Sequence, residues 1–290
     1  MRRRAAIGVA LAALVGAVAL LAGARRLARA RTYQLFGTLV SRVETRERVV
    51  ALTFDDGPTD ALADSVARML EARGVRVTFF VTGAELARAP AAGRRLVAAG
   101  HELGNHTYSH ARMVLRSPGT VRREVEATDS VIRAAGYRGE IRFRPPYGYK
   151  LVGLPWYLGR TGRTTVMWDV EPDSYADVAA TPAAIVSHVL ARVRPGSIVL
   201  LHVWYPSRAT SLAAVPLLVD SLRARGWRVT TVGALLGRAP RPLPPRDGGV
   251  NIGRSAGARP PRADDRSAPH RVQETWAPID GSRPAGALAP

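Results

Sequence analysis

Two histidines four residues apart, His106 and His110, follow an adjacent carboxylate pair, Asp55-Asp56, by about fifty residues. Two imidazoles and one carboxylate can hold a metal ion as three protein ligands. Three ligands leave a coordination position open for water, the arrangement of a catalytic rather than a structural zinc. The second carboxylate then stays free to act as a base on that water. These four residues point to a metal-dependent hydrolase.

Such chemistry requires distant residues to converge, and the intervening sequence has the elements to do it. Val49–Phe54 is a short apolar run, read as a buried strand that ends at Asp55-Asp56. Thr59 or Asp60 can cap the next helix, whose apolar positions 62, 66, 69 and 70 share one face, and Gly74 ends it. Further strands are expected at 75–81, 102–105, 141–144, 165–168, 197–201 and 228–231. Helices fit 85–99, interrupted at Pro90, and 120–135, 183–192 and 211–225. Strands alternating with helices predict βα units and a mostly parallel sheet, and about seven units suggest a complete or incomplete barrel. His106, Arg144, Trp168-Asp169 and His202 each fall at or just after a strand end. In α/β barrels that end builds the active site.

Composition narrows the class further. The 290 residues include no cysteine, which excludes disulfides and thiolate metal sites. The net charge is +19, but ten arginines against two acids lie in residues 1–48 and nine against five in 238–290. The middle region carries only +7. Lys150 is the only lysine, so the excess reads as an arginine-rich composition rather than a nucleic-acid surface.

The two ends read differently from the middle. Arg2, Arg3 and Arg4 precede an uncharged stretch from Ala5 to Ala24, long enough for a bilayer core of ~30 Å. It is longer than an ordinary signal-peptide apolar region, which favours an uncleaved anchor. Ala22-Gly23-Ala24 also resembles a cleavage site, which would make the protein secreted. The expected organisation is a cytoplasmic stub and membrane anchor over 1–31, a linker over 32–48, a catalytic domain over 49–237 and a disordered Pro/Gly/Arg-rich tail over 238–290.

Four short motifs in order give a resemblance. They are Thr53-Phe54-Asp55-Asp56-Gly57-Pro58, His106-Thr107-Tyr108-Ser109-His110, Arg144-Pro145-Pro146-Tyr147-Gly148 and Leu200-Leu201-His202. Over residues 49–233 the chain resembles the polysaccharide deacetylase (NodB-homology) family, carbohydrate esterase family four. The resemblance implies a distorted (β/α)7 barrel, here preceded by one N-terminal hydrophobic helix. It implies one divalent metal, most often Zn2+, on Asp56, His106 and His110. It implies Asp55 as general base, Arg144 as its partner and His202 as general acid protonating the sugar nitrogen. Tyr147, through its backbone N–H and with Pro145 beside it, would serve the oxyanion. Trp168 and Leu200 would line the acetyl pocket.

The fourth motif departs from the family pattern of an acidic residue followed by Trp, where the acid orients the general-acid histidine. Ser174-Tyr175 stands there, or the motif is shifted to Asp173-Ser174, which leaves Asp173 or Asp169 to support His202. Trp204 and Tyr205 fit either sugar stacking or loop packing, and His101 reads as structural. The resemblance implies removal of N-acetyl groups from a polysaccharide; with the N-terminal span, the expectation is a single-pass membrane enzyme, monomeric, acting on an extracytoplasmic polymer. Peptidoglycan comes first, then chitin-like or poly-N-acetylglucosamine polymers. A carbohydrate-binding relative with weak turnover and an O-acetyl esterase are the alternatives.

Overall fold

Strand β2 (Val49–Asp55) is buried along its whole length, as its unbroken apolar run requires, and the sheet is built around it. The computed structural model describes residues 2–238. In it β2 pairs in parallel with β6 (Ile198–His202), with β3 (Thr78–Val81) through residues 53–55, and with β7 (Arg228–Thr230) through residues 49–51. Strand β4 (Glu102–Asn105) extends the sheet beyond β3. A separate parallel pair joins β1 (Leu39–Val40) to β5 (Thr165–Val166). Single bridges at Asn105–Phe143, Phe143–Thr165 and Val170–Val199 carry the ring from β4 round to β6. The result is the expected distorted barrel of parallel strands.

The period-two alternation of β2 separates two cores. Val50, Leu52 and Phe54 pack with Ala63, Val66 and Leu70 of α2 (Asp60–Glu71) and with residues of α7 (Pro182–Arg192) and α8 (Ala209–Ala224). Val49 and Ala51 face the other way, with Phe80, Met167, Trp168, Ile198 and Leu200, into the barrel.

Several boundaries differ from expectation for local reasons. Pro90 splits the expected helix into α3 (Gly83–Arg88) and α4 (Pro90–Ala98), taking the first helical position of the second piece. The strand expected at 141–144 is reduced to the Phe143 bridges, and β3 begins only at Thr78. Helix α5 (Pro118–Ala134) matches closely, while α6 (Gly153–Arg160) and the short α9 (Val232–Leu236) carried too little period to be anticipated.

The stretch expected as a linker, 32–48, contains β1, a backbone hydrogen bond from Val43 to Gly196, and a buried Val43. It is packed into the barrel rather than spanning free. The long helix α1 (Arg2–Arg29) exposes Ile7, Leu11, Leu14, Val18, Leu20 and Leu21, yet its last turn is docked. Ala28 is buried, its carbonyl accepts the Lys150 N–H, and the Lys150 ammonium donates to the Ala30 carbonyl. The tail expected over 238–290 lies, beyond Arg238, outside the described residues.

Candidate active site

Thr53 and Asp55 continue the face of Val49 and Ala51, so strand alternation alone turns both side chains into the barrel. Asp56 leaves the strand at φ 73°, in the left-handed region, which sends its carboxylate in a different direction from that of Asp55. Gly57 continues the turn at φ 57°, where a Cβ would lie 2.5 Å from the Trp204 ring. Four of the five non-glycine residues with positive φ among the described residues are Asp56, Thr107, His110 and Tyr147. Backbone strain is thus concentrated in the three loops that carry the motifs, as is common where geometry serves function.

Asp56, His106 and His110 form a tight triad. Each offers one ligand atom, and the three atoms lie within 4.8 Å of one another. His110 Nε2 is 3.2 Å from Asp56 Oδ1 and His106 Nε2 is 3.8 Å from it. Tetrahedral zinc with bonds of ~2.0–2.1 Å separates neighbouring ligand atoms by roughly 3.4 Å, between those two distances. His106 Nδ1 sits 2.8 Å from the Arg144 carbonyl, an acceptor only, so the ring proton is fixed at Nδ1 and the Nε2 lone pair faces the triad. Burial lowers the pKa of both histidines and keeps them neutral, the form that ligates. Burial also raises the Asp56 pKa, opposed first by the nearby His106. The donor set fits a divalent metal.

Asp55 lies beside the triad with a buried arginine behind it. Arg144 is fully buried and donates through Nη1 to Asp55 Oδ1 at 2.6 Å and to Thr53 Oγ1 at 2.8 Å. Its remaining donors reach the Val166 and Met167 carbonyls, and its guanidinium carbon lies 4.0 Å from the Phe80 ring centroid. Burial lowers the Arg144 pKa, and the Asp55 carboxylate counters that loss. Asp55 Oδ2 is left 3.7 Å from His106 Nε2, on the side of the triad.

Across the barrel mouth, His202 is the register partner of Asp55. Alternation along β6 puts Ile198, Leu200 and His202 on the inner face. Asp173 holds His202 twice. Its Oδ2 accepts the His202 N–H at 2.7 Å, and its carboxylate lies 3.2–3.3 Å from Nδ1. Ser211 donates to the same carboxylate. Burial opposes charge on His202, but the hydrogen bond and charge of Asp173 outweigh it and raise the pKa. Asp169 is engaged elsewhere, accepting from the Ile198 N–H and the Ser197 hydroxyl. Of the two candidates left open by the sequence, Asp173 is the one at His202.

A cleft of about 580 Å³ joins the two sides, within the ~300–1,000 Å³ range of small-molecule sites. Trp168, Leu200 and Tyr147 line it, and the Tyr147 ring lies 4.7 Å from that of His110. Pro145 is buried and is absent from the lining. Trp204 is buried against Phe79 and Gly57, and Tyr205 donates to Glu85, so both pack rather than face sugar.

Sequence reasoning missed the carboxylates and amide that hold these loops. Glu85 accepts from Gly57 N–H and from the Thr82 hydroxyl. Glu124 accepts from the N–H groups of Tyr108 and Ser109, and Asn105 bridges Thr107 to α5. Glu171 accepts from the Trp168 indole and from Arg31. Most of their partners are backbone groups or side chains distant in sequence, which leave no local signature; the exceptions are Thr82–Glu85 and Trp168–Glu171, each three residues apart, the first at the spacing of a helix-start capping box.

Residues 42–166 match the family model for polysaccharide deacetylase. A chitooligosaccharide deacetylase of a Bradyrhizobium species is 37% identical over 194 residues, 63% of this chain and 88% of that protein. The chain belongs to the polysaccharide deacetylase family. A Bacillus cereus peptidoglycan-N-acetylglucosamine deacetylase is 29% identical over 69% of this chain and 93% of its own length. The solved Bc1960 peptidoglycan N-acetylglucosamine deacetylase superposes with a TM-score of 0.64 at 26% identity, covering 70% of this chain and 95% of that one. Membership makes the chain a deacetylase with the barrel described above. The family model stops at residue 166, so Asp173 and His202 lie beyond it and depend on the geometry of β6 and its neighbouring loop.

Proposed function

We propose that this polysaccharide deacetylase is a metal-dependent N-deacetylase of amino sugars in an extracytoplasmic polysaccharide. The observation that carries this reading is the line Asp56/His106/His110, Asp55–Arg144 and His202–Asp173 across one cleft. A divalent ion on the triad, zinc first by its ligand set, would supply Lewis acidity toward water and the acetamide carbonyl. Asp55, held in place by Arg144, takes a proton from the attacking water. The backbone N–H of Tyr147 donates to the developing oxyanion. His202 gives a proton to the departing amine nitrogen, a poor leaving group without one. Trp168 and Leu200 bound the space for the acetyl methyl.

The acid side favours amide over ester cleavage. An alkoxide departs with less assistance than an amine, so an O-acetyl esterase has less need of the Asp173–His202 pair. That pair also supplies the carboxylate whose shift in the fourth motif raised the possibility of a binding relative without turnover.

Helix α1 is long and apolar enough to cross a bilayer by length and composition. It is proposed as a single-pass anchor, with the catalytic unit extending from about residue 28 through α9, and as a monomer. Peptidoglycan is the first substrate, since an anchored exported enzyme meets it first. An acetate-release panel over peptidoglycan, chitooligosaccharide and poly-N-acetylglucosamine, with and without chelator, tests the reading. Release from one polymer that chelator abolishes and added metal restores is expected. No release from any of them, in protein without bound metal, would sink it.

A further inference from the structure

The cleft carries more cationic groups than hydrolysis of a neutral sugar requires. Arg29, Arg31, Arg112 and Arg208 line it together with Asp55, Asp56 and Glu171. Pairing removes most of the negative charge. Arg144 holds Asp55, Arg31 holds Glu171 at 2.6 Å, and Asp56 belongs to the metal triad. Arg29, Arg112 and Arg208 pair with no carboxylate among the described residues. Elsewhere on the barrel half-buried arginines are paired while exposed ones such as Arg76, Arg88 and Arg122 are not, so the missing partner is unusual for the half-buried Arg208, and Arg29 and Arg112 stand out by their place in the cleft. Arg73 meets Asp220, Arg95 meets Asp64 and Glu71, Arg142 meets Glu102 and Glu140, and Arg163 meets Asp129.

The unpaired arginines flank both ends of the catalytic line. The Arg112 guanidinium lies 5.0 Å from the Tyr147 ring centroid and 5.5 Å from that of Tyr149. Tyr147 in turn packs on the triad residue His110. Arg29, from the last turn of α1, lies 5.7 Å from the same Tyr149 ring. On the acid side, Arg208 donates to the Asp173 carbonyl at 2.9 Å, beside the support of His202. Stacked or tethered guanidiniums keep forked donors in a fixed direction, suited to a carboxylate or phosphate. A neutral oligomer covering them would remove water from three cations and return no counter-charge.

Resting on the deacetylase reading, we propose that Arg29, Arg112 and Arg208 select an acidic glycan. Its anion, a carboxylate or phosphate, would sit on or next to the N-acetylated sugar. Positive potential focused in the cleft would raise the encounter rate as well as the affinity.

The test uses the full chain in detergent micelles with divalent metal. Four N-acetylated substrates are compared: glycan strands bearing sugar carboxylates, the same strands amidated, a phosphorylated N-acetylglucosamine oligomer, and the neutral hexamer. At least one charged substrate is expected to exceed its neutral counterpart about tenfold in kcat/KM, with an advantage that shrinks between about 50 mM and about 500 mM salt. The carboxylated and phosphorylated arms distinguish the anion. The advantage falls several-fold in Arg112→Gln and in the Arg29→Gln/Arg208→Gln double variant, and Arg112→Lys restores part of it. Equal rates on amidated and carboxylated strands and on phosphorylated and neutral oligomers overturn the proposal, as does an advantage that survives replacement of all three arginines. Binding of labelled strands is followed in the same preparations. Anion-selective binding without acetate release would reject the deacetylase reading and retain the anion site.

Discussion

Asp55 and His202 are register partners on adjacent strands, yet they are held by opposite means. Asp55 is backed by a fully buried arginine whose guanidinium is fixed by two carbonyls, a threonine hydroxyl and an aromatic ring. His202 is backed by a buried aspartate and keeps more contact with the cleft. In the proposed mechanism the base, Asp55, is aimed by the cation behind it. In the same mechanism the acid, His202, has an anion behind it that favours its protonated form. The pair shows how one barrel face can give two titratable groups partners of opposite charge, a guanidinium behind Asp55 and a carboxylate behind His202.

Breaking the base side should have the largest effect. Asp55→Asn is expected to lower acetate release by about 10²–10⁴-fold. Metal content should be unchanged, because Asp56, His106 and His110 remain. The same change leaves Arg144 buried without its anion, a loss of the order of 3–5 kcal/mol for such pairs, visible as a lower Tm. Normal turnover in this variant would mean that another group is the base.

The acid side should respond in pH before it responds in stability. The raised His202 pKa extends the protonated form above the ordinary histidine range. A rate that needs that form is full below the folded pKa and falls as pH rises through it. Asp173→Asn removes the anion that raises it, so the alkaline limb of kcat should move to lower pH. The rate near neutrality should drop by about ten- to a hundredfold. An alkaline limb that does not move would assign it to a different group.

The two sides also differed in how much could be read beforehand. The convergence of Asp56, His106 and His110 was legible because residue type and spacing are themselves the signal: two histidines four apart, two carboxylates at a strand end. Alternation along β2 and β6 then placed Asp55, Leu200 and His202 on one inner face. Asp173 could not be separated from Asp169, because the loop after β5 has no period and both residues lie close to the same strand. The distinction depends on which backbone N–H groups each carboxylate meets, Ile198 for one and His202 for the other. Glu124 was invisible for the same reason, whereas Glu85 follows Thr82 at the three-residue spacing of a capping box and its reach to Gly57 alone was hidden. Strand β1 spans two residues, too few to alternate, so a packed segment read as a linker.

The wall behind Trp168 tests whether the fixed character of the base side extends to the residues before the barrel. Arg31 and Trp168 share Glu171 as acceptor, and Arg31 also lies 4.7 Å from the Trp168 ring. Burial lowers the Lys150 pKa to about 8, and its ammonium donates to the Ala30 carbonyl. Two chains make the comparison, one starting at Arg25 and one at Thr32; both lack the apolar span, and only the second lacks these contacts. Losing the partners of Lys150 and Arg31 should cost about 1–3 kcal/mol. At ~2–4 °C per kcal/mol for a domain of this size, Tm should fall by roughly 2–12 °C. Metal content should be equal in the two chains, since the triad is on other loops. KM should rise in the shorter chain, because Trp168 loses the arginine that covers its ring and its acceptor loses a partner. Equal Tm and KM would reduce residues 25–31 to a tether and confine the fixed wall to the barrel.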